Sequence, residues 1–183
     1  GVKIYPRPSA LRTIKNKILQ KQFYKEQQVR TAEFIVVDNL QAIKDNAHFL
    51  PAVNKIAQGG YDGRGVQVMR DVAAIEKGFD APGILEKMVT IDKEIAQIVA
   101  INEKGEIVLH PAVDMVFDPH LNVLDFQISP ADIPEKTLWK IEALSLAVVK
   151  GLKSPGIFAV ELFIDKAGEV YVNETAPRVH NSG

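Results

Sequence analysis

The chain has 183 residues, 46% hydrophobic and 25% charged, with a formal net charge of −1. That composition suits one sizeable core or two small ones, and the near-neutral charge gives no draw toward nucleic acid or an anionic membrane. The absence of cysteine excludes disulfides, thiolate metal sites and a cysteine nucleophile. No apolar run approaches the ~18 residues of a membrane span and no signal-peptide pattern is present, so a soluble cytoplasmic protein is the default expectation.

Residues 1–8 carry two prolines and read as an extended entry from something upstream. Ser9 is a candidate cap for a helix running to about residue 28. Leu11, Ile14 and Ile18 follow helical spacing, Lys21/Gln22 continue it weakly, and Leu19 and Phe23 widen the apolar face. The helix also carries Arg12, Lys15, Lys17, Lys21 and Lys25, which on charge alone read as a solvated face. Residues 31–37 read as a strand, 39–49 as a short helix, and 51–56 as a strand that carries Lys55. The stretch GGYDGRG at 59–65 has four glycines in seven residues. Glycine permits positive φ and close backbone approach, and successive N–H groups can cradle a phosphate. The spacing is not that of a Walker loop, and a flexible hairpin turn is the alternative.

Residues 66–69 read as a strand, 71–78 as a helix, and 83–89 as a strand leading into a hinge. Residues 93–102 and 106–113 read as a hairpin whose poor alternation predicts partial burial on both faces. Glu86 and Glu94, eight residues apart, read as strand-end acids. His48, His110 and His120 have no companions at metal-ligand spacing. Residues 115–129 are extended, broken by Asp118-Pro119-His120. Pro134 starts a helix to about residue 152, with Leu138, Ile141, Leu144, Val148 and Leu152 as its core stripe and Trp139 off it.

The last stretch, IFAVELFIDKAGEVYVNETAPRVHNSG at 157–183, reads as a hairpin and a polar loop. If the turn pairs Asp165 with Gly168, Glu161 lies opposite Val172. Glu174 then shares its face as a diagonal neighbour, with Cβ atoms roughly 7 Å apart. Two carboxylates so placed can share one or two hard cations such as Mg²⁺; a solvated face with two unrelated acids is the alternative. Glu161 sits between apolar residues, where a charge needs a partner. Glu174 leads into Arg178, His180 and Asn181, a run of anion-binding and hydrogen-bonding groups.

VELF followed by VNETAPRVHNSG resembles the ATP-grasp enzymes of the N5-carboxyaminoimidazole ribonucleotide synthetase family, as do Lys55 followed by GGYDGRG and the segment Asn16-Lys17-x-x-Gln20-Lys21-x-Phe23. The resemblance implies an α+β, ATP-grasp fold with a nucleotide cleft between two lobes. Residues 1–30 would be a lead-in and basic helix joined to an N-terminal domain outside this chain, 31–89 the small lobe, and 90–183 a large lobe cut short, so that the chain reads as a fragment. It implies ATP and Mg²⁺ as cofactors, with Glu161 and Glu174 as metal ligands. Lys17, Lys55, Gly60, Tyr61, Gly63, Glu86, Lys87, Met88, Val89, Glu94 and Asn173 would bind nucleotide, Glu86 and the backbone of 87–89 at adenine and Glu94 at ribose. Asp62, Arg64, Arg178, His180 and Asn181 would act in catalysis. The implied reaction carboxylates 5-aminoimidazole ribonucleotide with bicarbonate through carboxyphosphate. Its partners are those small molecules, with neither nucleic acid nor membrane, in a homodimer when full length. Many ATP-grasp relatives place Asn where this chain has Ala176, a departure that argues against biotin carboxylase and D-Ala–D-Ala ligase. Two alternatives stand: another purine-pathway ATP-grasp ligase using formate, and an isolated nucleotide-binding module without catalysis.

Overall fold

The computed structural model describes residues 2–60, 64–118 and 123–182. Two antiparallel sheets make up the molecule, each backed by helices on one face. The first contains Phe34–Val37 (β1), Ala52–Ile56 (β2), Val66–Met69 (β3) and Gly83–Lys87 (β4) in the order β1-β4-β2-β3. The second contains Ile91–Ile101 (β5), Ile107–Leu109 (β6), Val113–Phe117 (β7), Leu124–Ile128 (β8), Gly156–Asp165 (β9) and Val170–Ala176 (β10). Its order is β10-β9-β5-β7-β8, with β6 also paired to β5. The α+β class read from the sequence is what the chain adopts. Among the described residues no helix is long and apolar enough to cross a membrane.

The basic N-terminal helix is two helices, Pro8–Ile14 (α1) and Lys17–Glu26 (α2). The break is at Asn16, which is extended and accepts hydrogen bonds from the N–H groups of Ile18 and Leu19. Asparagine offers a cap more readily than it continues a helix. Pro8, not Ser9, opens α1, at the first helical position where a missing N–H is not needed. The strand expected at 31–37 starts only at Phe34, because the chain before it is tied to β10: Val172 donates to the Arg30 carbonyl, and Thr31 Oγ1 donates to Val172 O. The helix expected at 39–49 is Leu40–Asp45 (α3), capped by Asn39, followed by a single 3₁₀ turn at Ala47–Phe49. Asp71 likewise caps a 3₁₀ helix, Val72–Lys77. The long helix Glu135–Gly151 (α4) follows its sequence pattern closely, with Pro134 at its N-cap and Trp139 exposed.

Two apolar cores result. One joins α1, α2 and α4 to the larger sheet through Ile14, Tyr24, Ile141, Val148, Phe158, Val160 and Leu162. The other joins α3 and the 3₁₀ turns to the smaller sheet through Val37, Ile43, Phe49, Met69 and Leu85. Each sheet thus buries one face under helices and turns the other toward the cleft.

The closing hairpin differs from its expected register. Asp165 pairs with Glu169, not Gly168. The loop is therefore Lys166-Ala167-Gly168, with Gly168 at φ +76° and the Asp165 carboxylate accepting from the N–H groups of Ala167 and Glu169. A three-residue loop closed by a left-handed glycine is a favoured hairpin turn. Opposite numbers now sum to one more than expected, which by itself would send Glu174 into the core. A β-bulge between Val172 and Glu174 reverses this and sets Glu174 directly opposite Glu161. Val172 and Thr175 stay buried on either side while Asn173 and Glu174 both face the cleft.

Helix α2 holds that bulge. The buried Gln20 amide donates to Thr175 O and accepts from Thr175 N–H, both at 3.3 Å, and donates to Ile14 O at 2.9 Å. The buried Tyr24 hydroxyl meets Thr175 Oγ1 at 2.6 Å. Gln20 in effect extends the sheet past its edge. Gln20→Leu should leave the Thr175 backbone buried and unpaired and destabilise the protein by about 1–3 kcal/mol in denaturant unfolding. A change below a few tenths would mean that the amide contributes little to holding the bulge.

Candidate active site

In the smaller sheet Val53 opposes Glu86 and Lys55 opposes Ile84, so Glu86 and Lys55 are diagonal neighbours on the cleft face. Gly83 lets the strands close here, since a Cβ on it would lie 2.3 Å from the Lys55 carbonyl oxygen. The Glu86 carboxylate, 3% exposed, is shared by two cations. Lys21 Nζ of α2 donates to Oε1 at 2.8 Å and Lys55 Nζ lies 2.7 Å from Oε2. Lys21 also meets Thr31 Oγ1 at 2.5 Å. Burial alone would push Glu86 up, but Lys55 and Lys21 outweigh it and hold the carboxyl below its usual range. Lys21 shifts the other way, lowered to about 8 by burial first, with Glu86 raising it and the charge of Lys55 lowering it further. One acid between two cations gains from both, whereas each cation also feels the other.

The larger sheet faces this wall with Glu94, Glu161, Asn173 and Glu174. Ala96 opposes Glu161 and Glu94 opposes Phe163, which puts Glu94 and Glu161 on one face as diagonal neighbours. Burial, and then the charge of Glu161, raise Glu94 to about 7, with Lys55 opposing. Glu174 receives Lys17 Nζ at 2.7 Å, and Asn173 Oδ1 receives Lys55 Nζ at 3.0 Å. Lys55 thus links the two walls directly, and Lys21 of α2 links them through Glu86. His180 Nε2 lies 3.1 Å from Glu161 Oε1, and its Nδ1 lies 2.9 Å from Ser182 Oγ. Opposed Glu161 and Glu174 have Cβ atoms about 5 Å apart. That is a sparse, hard-oxygen donor pair, which suits a Mg²⁺ that keeps waters and phosphate oxygens in its shell. Among the described residues no cluster of three or more His, Asp or Glu forms a fuller metal cage.

The structure thus gathers Lys17, Lys55, Glu86, Glu94, Glu161, Asn173, Glu174 and His180. Others stand apart. Lys87 points to the opposite face, with Nζ on the Phe49 carbonyl at 2.8 Å. Arg178 is exposed and turned onto the Val179 carbonyl, and Asn181 is exposed. Arg64 is exposed beside the glycine loop; Tyr61, Asp62, Gly63 and His120 lie outside the described residues. At the hinge the N–H groups of Lys87 and Met88 are used by Glu33 O and Pro51 O. Among the described residues the N–H groups of Val89 and Thr90 make no backbone hydrogen bond. A hollow of about 470 Å³ lies against this hinge, lined by Met88, Val89, Thr90 and Tyr171. A second, of about 580 Å³, lies beyond Glu174 and is lined by Arg12, Lys15, Lys17, Gly60 and Arg178.

Sequence reasoning gave Lys21 and Gln20 no role. The signal was present: both fall on or beside the buried helix stripe, where a polar side chain needs a partner. The Asn173 bulge left no comparable mark.

An ATP-grasp domain model matches residues 22–183. The chain belongs to the ATP-grasp family. It is 34% identical to the phosphoribosylaminoimidazole carboxylase of Candida albicans, over 100% of this chain and 33% of that protein. Among solved structures it resembles the N5-carboxyaminoimidazole ribonucleotide synthetase of Thermotoga maritima, with 36% identity and a TM-score of 0.85 over 99% of this chain and 46% of the other. It also resembles the N5-carboxyaminoimidazole synthase of Aspergillus clavatus in complex with ADP and 5-aminoimidazole ribonucleotide, with 25% identity and a TM-score of 0.86 over 100% of this chain and 49% of the other. The chain spans a third to a half of the length of these relatives.

The Glu94 shift has a pH consequence. Between about 4.5 and 7 the folded state keeps a proton that the unfolded state has released, so stability falls as pH rises through this window and levels off above it. Glu94→Gln removes that dependence. The stability difference between variant and parent should move toward the variant by on the order of 2 kcal/mol from pH 4.5 to 8. Parallel denaturation midpoints across that range would mean Glu94 titrates normally.

Proposed function

We propose that the intact protein is an ATP-dependent carbon–nitrogen ligase that carboxylates 5-aminoimidazole ribonucleotide with bicarbonate, giving N5-carboxyaminoimidazole ribonucleotide, ADP and phosphate. One observation carries the reading: two opposed carboxylates and two lysines meet in a cleft whose far side opens into an arginine- and lysine-lined hollow. The relatives' names supply the substrates. Phosphoryl transfer asks a protein for positioning and charge neutralisation more than for covalent chemistry, and this is what the cleft offers.

On this reading adenine lies against the hinge, with Val89 N–H as donor and Glu86 nearby, while Glu94 meets the ribose hydroxyls. Lys17 and Lys55 exchange their present partners for phosphate oxygens. Glu161 and Glu174 would hold Mg²⁺, which when bound neutralises phosphate charge and fixes the oxygens. A bicarbonate oxygen attacks the γ-phosphorus, the bond to ADP breaks, and carboxyphosphate forms. The substrate amine then takes the carboxyl group as phosphate leaves and the amine proton is lost. Arg178 is exposed at the hollow and has a planar fork that matches a carboxylate. His180 on Glu161 and the neighbouring Asn181 border the same side. Gly60, with Tyr61, Asp62, Gly63 and Arg64, would close over the phosphates.

The test is phosphate release from ATP by the intact protein. Release should require both bicarbonate and 5-aminoimidazole ribonucleotide. Release that requires formate and glycinamide ribonucleotide would establish the other purine-pathway ligase, and nucleotide binding without turnover would establish the binding module. Two variants test the parts. Glu174→Gln should lower turnover at least 100-fold. Arg178→Lys should lower turnover about 100-fold or more with the ADP Kd nearly unchanged, since it removes a fixed donor from the acceptor side only. Lost ADP affinity with turnover retained at saturating ATP would put Arg178 on the nucleotide side.

A further inference from the structure

We propose that Lys21 is a positioning residue that acts through the Glu86 carboxylate to keep the Lys55 ammonium available to nucleotide phosphate. The inference rests on the reading that Lys55 meets the nucleotide. Its basis is the charge count of a buried trio. Glu86 is 3% exposed and Lys21 is 2% exposed. Lys21 donates to Oε1 at 2.8 Å, while the Lys55 ammonium lies 2.7 Å from Oε2 as an ion pair. The three side chains come from separate elements, α2, β4 and β2. Two cations on one anion leave a net positive charge, and the two ends differ in what else they meet. Lys21 is enclosed, with Thr31 Oγ1 as its second partner. Lys55 is more open and reaches across the cleft to Asn173.

Without Lys21 the same carboxylate would have Lys55 as its one close cation. A buried carboxylate with a single partner draws that partner in and cancels its charge, because the alternative is an unpaired charge away from water. Lys55 would then present a neutralised pair to an incoming phosphate. Lys21 therefore touches no ligand. It satisfies Glu86, which leaves the second lysine with charge to spare and fixes its direction. A solvated basic face does none of this, and neither burial nor a shared carboxylate is expected of one.

The experiment is a double-mutant cycle read as the Kd for Mg-ADP by calorimetry on the intact protein, with a thermal midpoint for each variant. Lys55→Met should weaken binding at least 30-fold. Lys21→Met should weaken it about 10-fold, and in the Lys55→Met background it should have no further effect, within twofold. Lys21→Gln keeps a donor to Glu86 without the charge; it should show the same dependence on Lys55 and serves if Lys21→Met does not fold. An equal Kd penalty from the Lys21 variants in both backgrounds would make Lys21 a general structural residue and overturn the proposal. So would an unchanged Kd in the Lys21 variants beside wild-type Lys55. An unchanged Kd in Lys55→Met alone would instead overturn the nucleotide reading of Lys55, and the proposal with it. A fall in thermal midpoint is expected of either role and does not decide between them; the coupling in Kd does.

Discussion

The rest of the site depends on a bulge of one residue in β10. Strict alternation along that strand would present one polar side chain to the cleft and send the next into the core. The extra residue lets Asn173 and Glu174 face the cleft together, sets Glu174 opposite Glu161, and returns Thr175 to the interior. A bulge leaves backbone groups without ladder partners. Here α2 pairs the Thr175 backbone through Gln20 and the Thr175 hydroxyl through Tyr24, and Lys17 at the start of the same helix pairs with Glu174. The bulge and its support therefore come from one short helix against one short stretch of strand.

The charges in the cleft are arranged as pairs that can change partners. Glu174 is paired with Lys17, Glu161 with His180, and Glu86 with both Lys21 and Lys55. Glu94 differs: burial, and then the charge of Glu161, raise its pKa, with Lys55 opposing. On the proposed reading, nucleotide phosphate takes the lysines while a cation takes the carboxylates. One set of ion pairs is replaced by another, and no buried charge is stranded during the exchange.

Much of this was legible in the sequence, for stated reasons. The helix at 135–151 follows apolar periodicity, because it buries one stripe along its length; the strands at 66–69 and 83–87 were legible only as short apolar runs, since β3 leaves Val66 and Val68 exposed and β4 is buried on both faces. The acids Glu161 and Glu174 stood out as charges in apolar or functional surroundings. Other features were not legible. The split of the first helix depends on Asn16 finding free N–H groups and on Lys17 N–H finding the Ala57 carbonyl just beyond β2. The turn at 166–168 and the bulge each shift the register by one, and the two shifts nearly cancel in what they do to Glu174. The expected pairing therefore reached the right face by a register the chain does not use. Lys21 was read with its solvated neighbours because nothing local shows that β4 will place a carboxylate over it.

On the proposed reading this bulge brings Glu161 and Glu174 to a single cation. A crystal structure of the intact protein with ADP and Mn²⁺ tests it most directly, with the metal located by its anomalous scattering. One strong peak is expected between the two carboxylates, with at least one oxygen of each within about 2.3 Å and phosphate oxygens completing an octahedral shell. A metal bound through phosphate and water alone, or through one glutamate with the other still on its lysine or histidine, would contradict it.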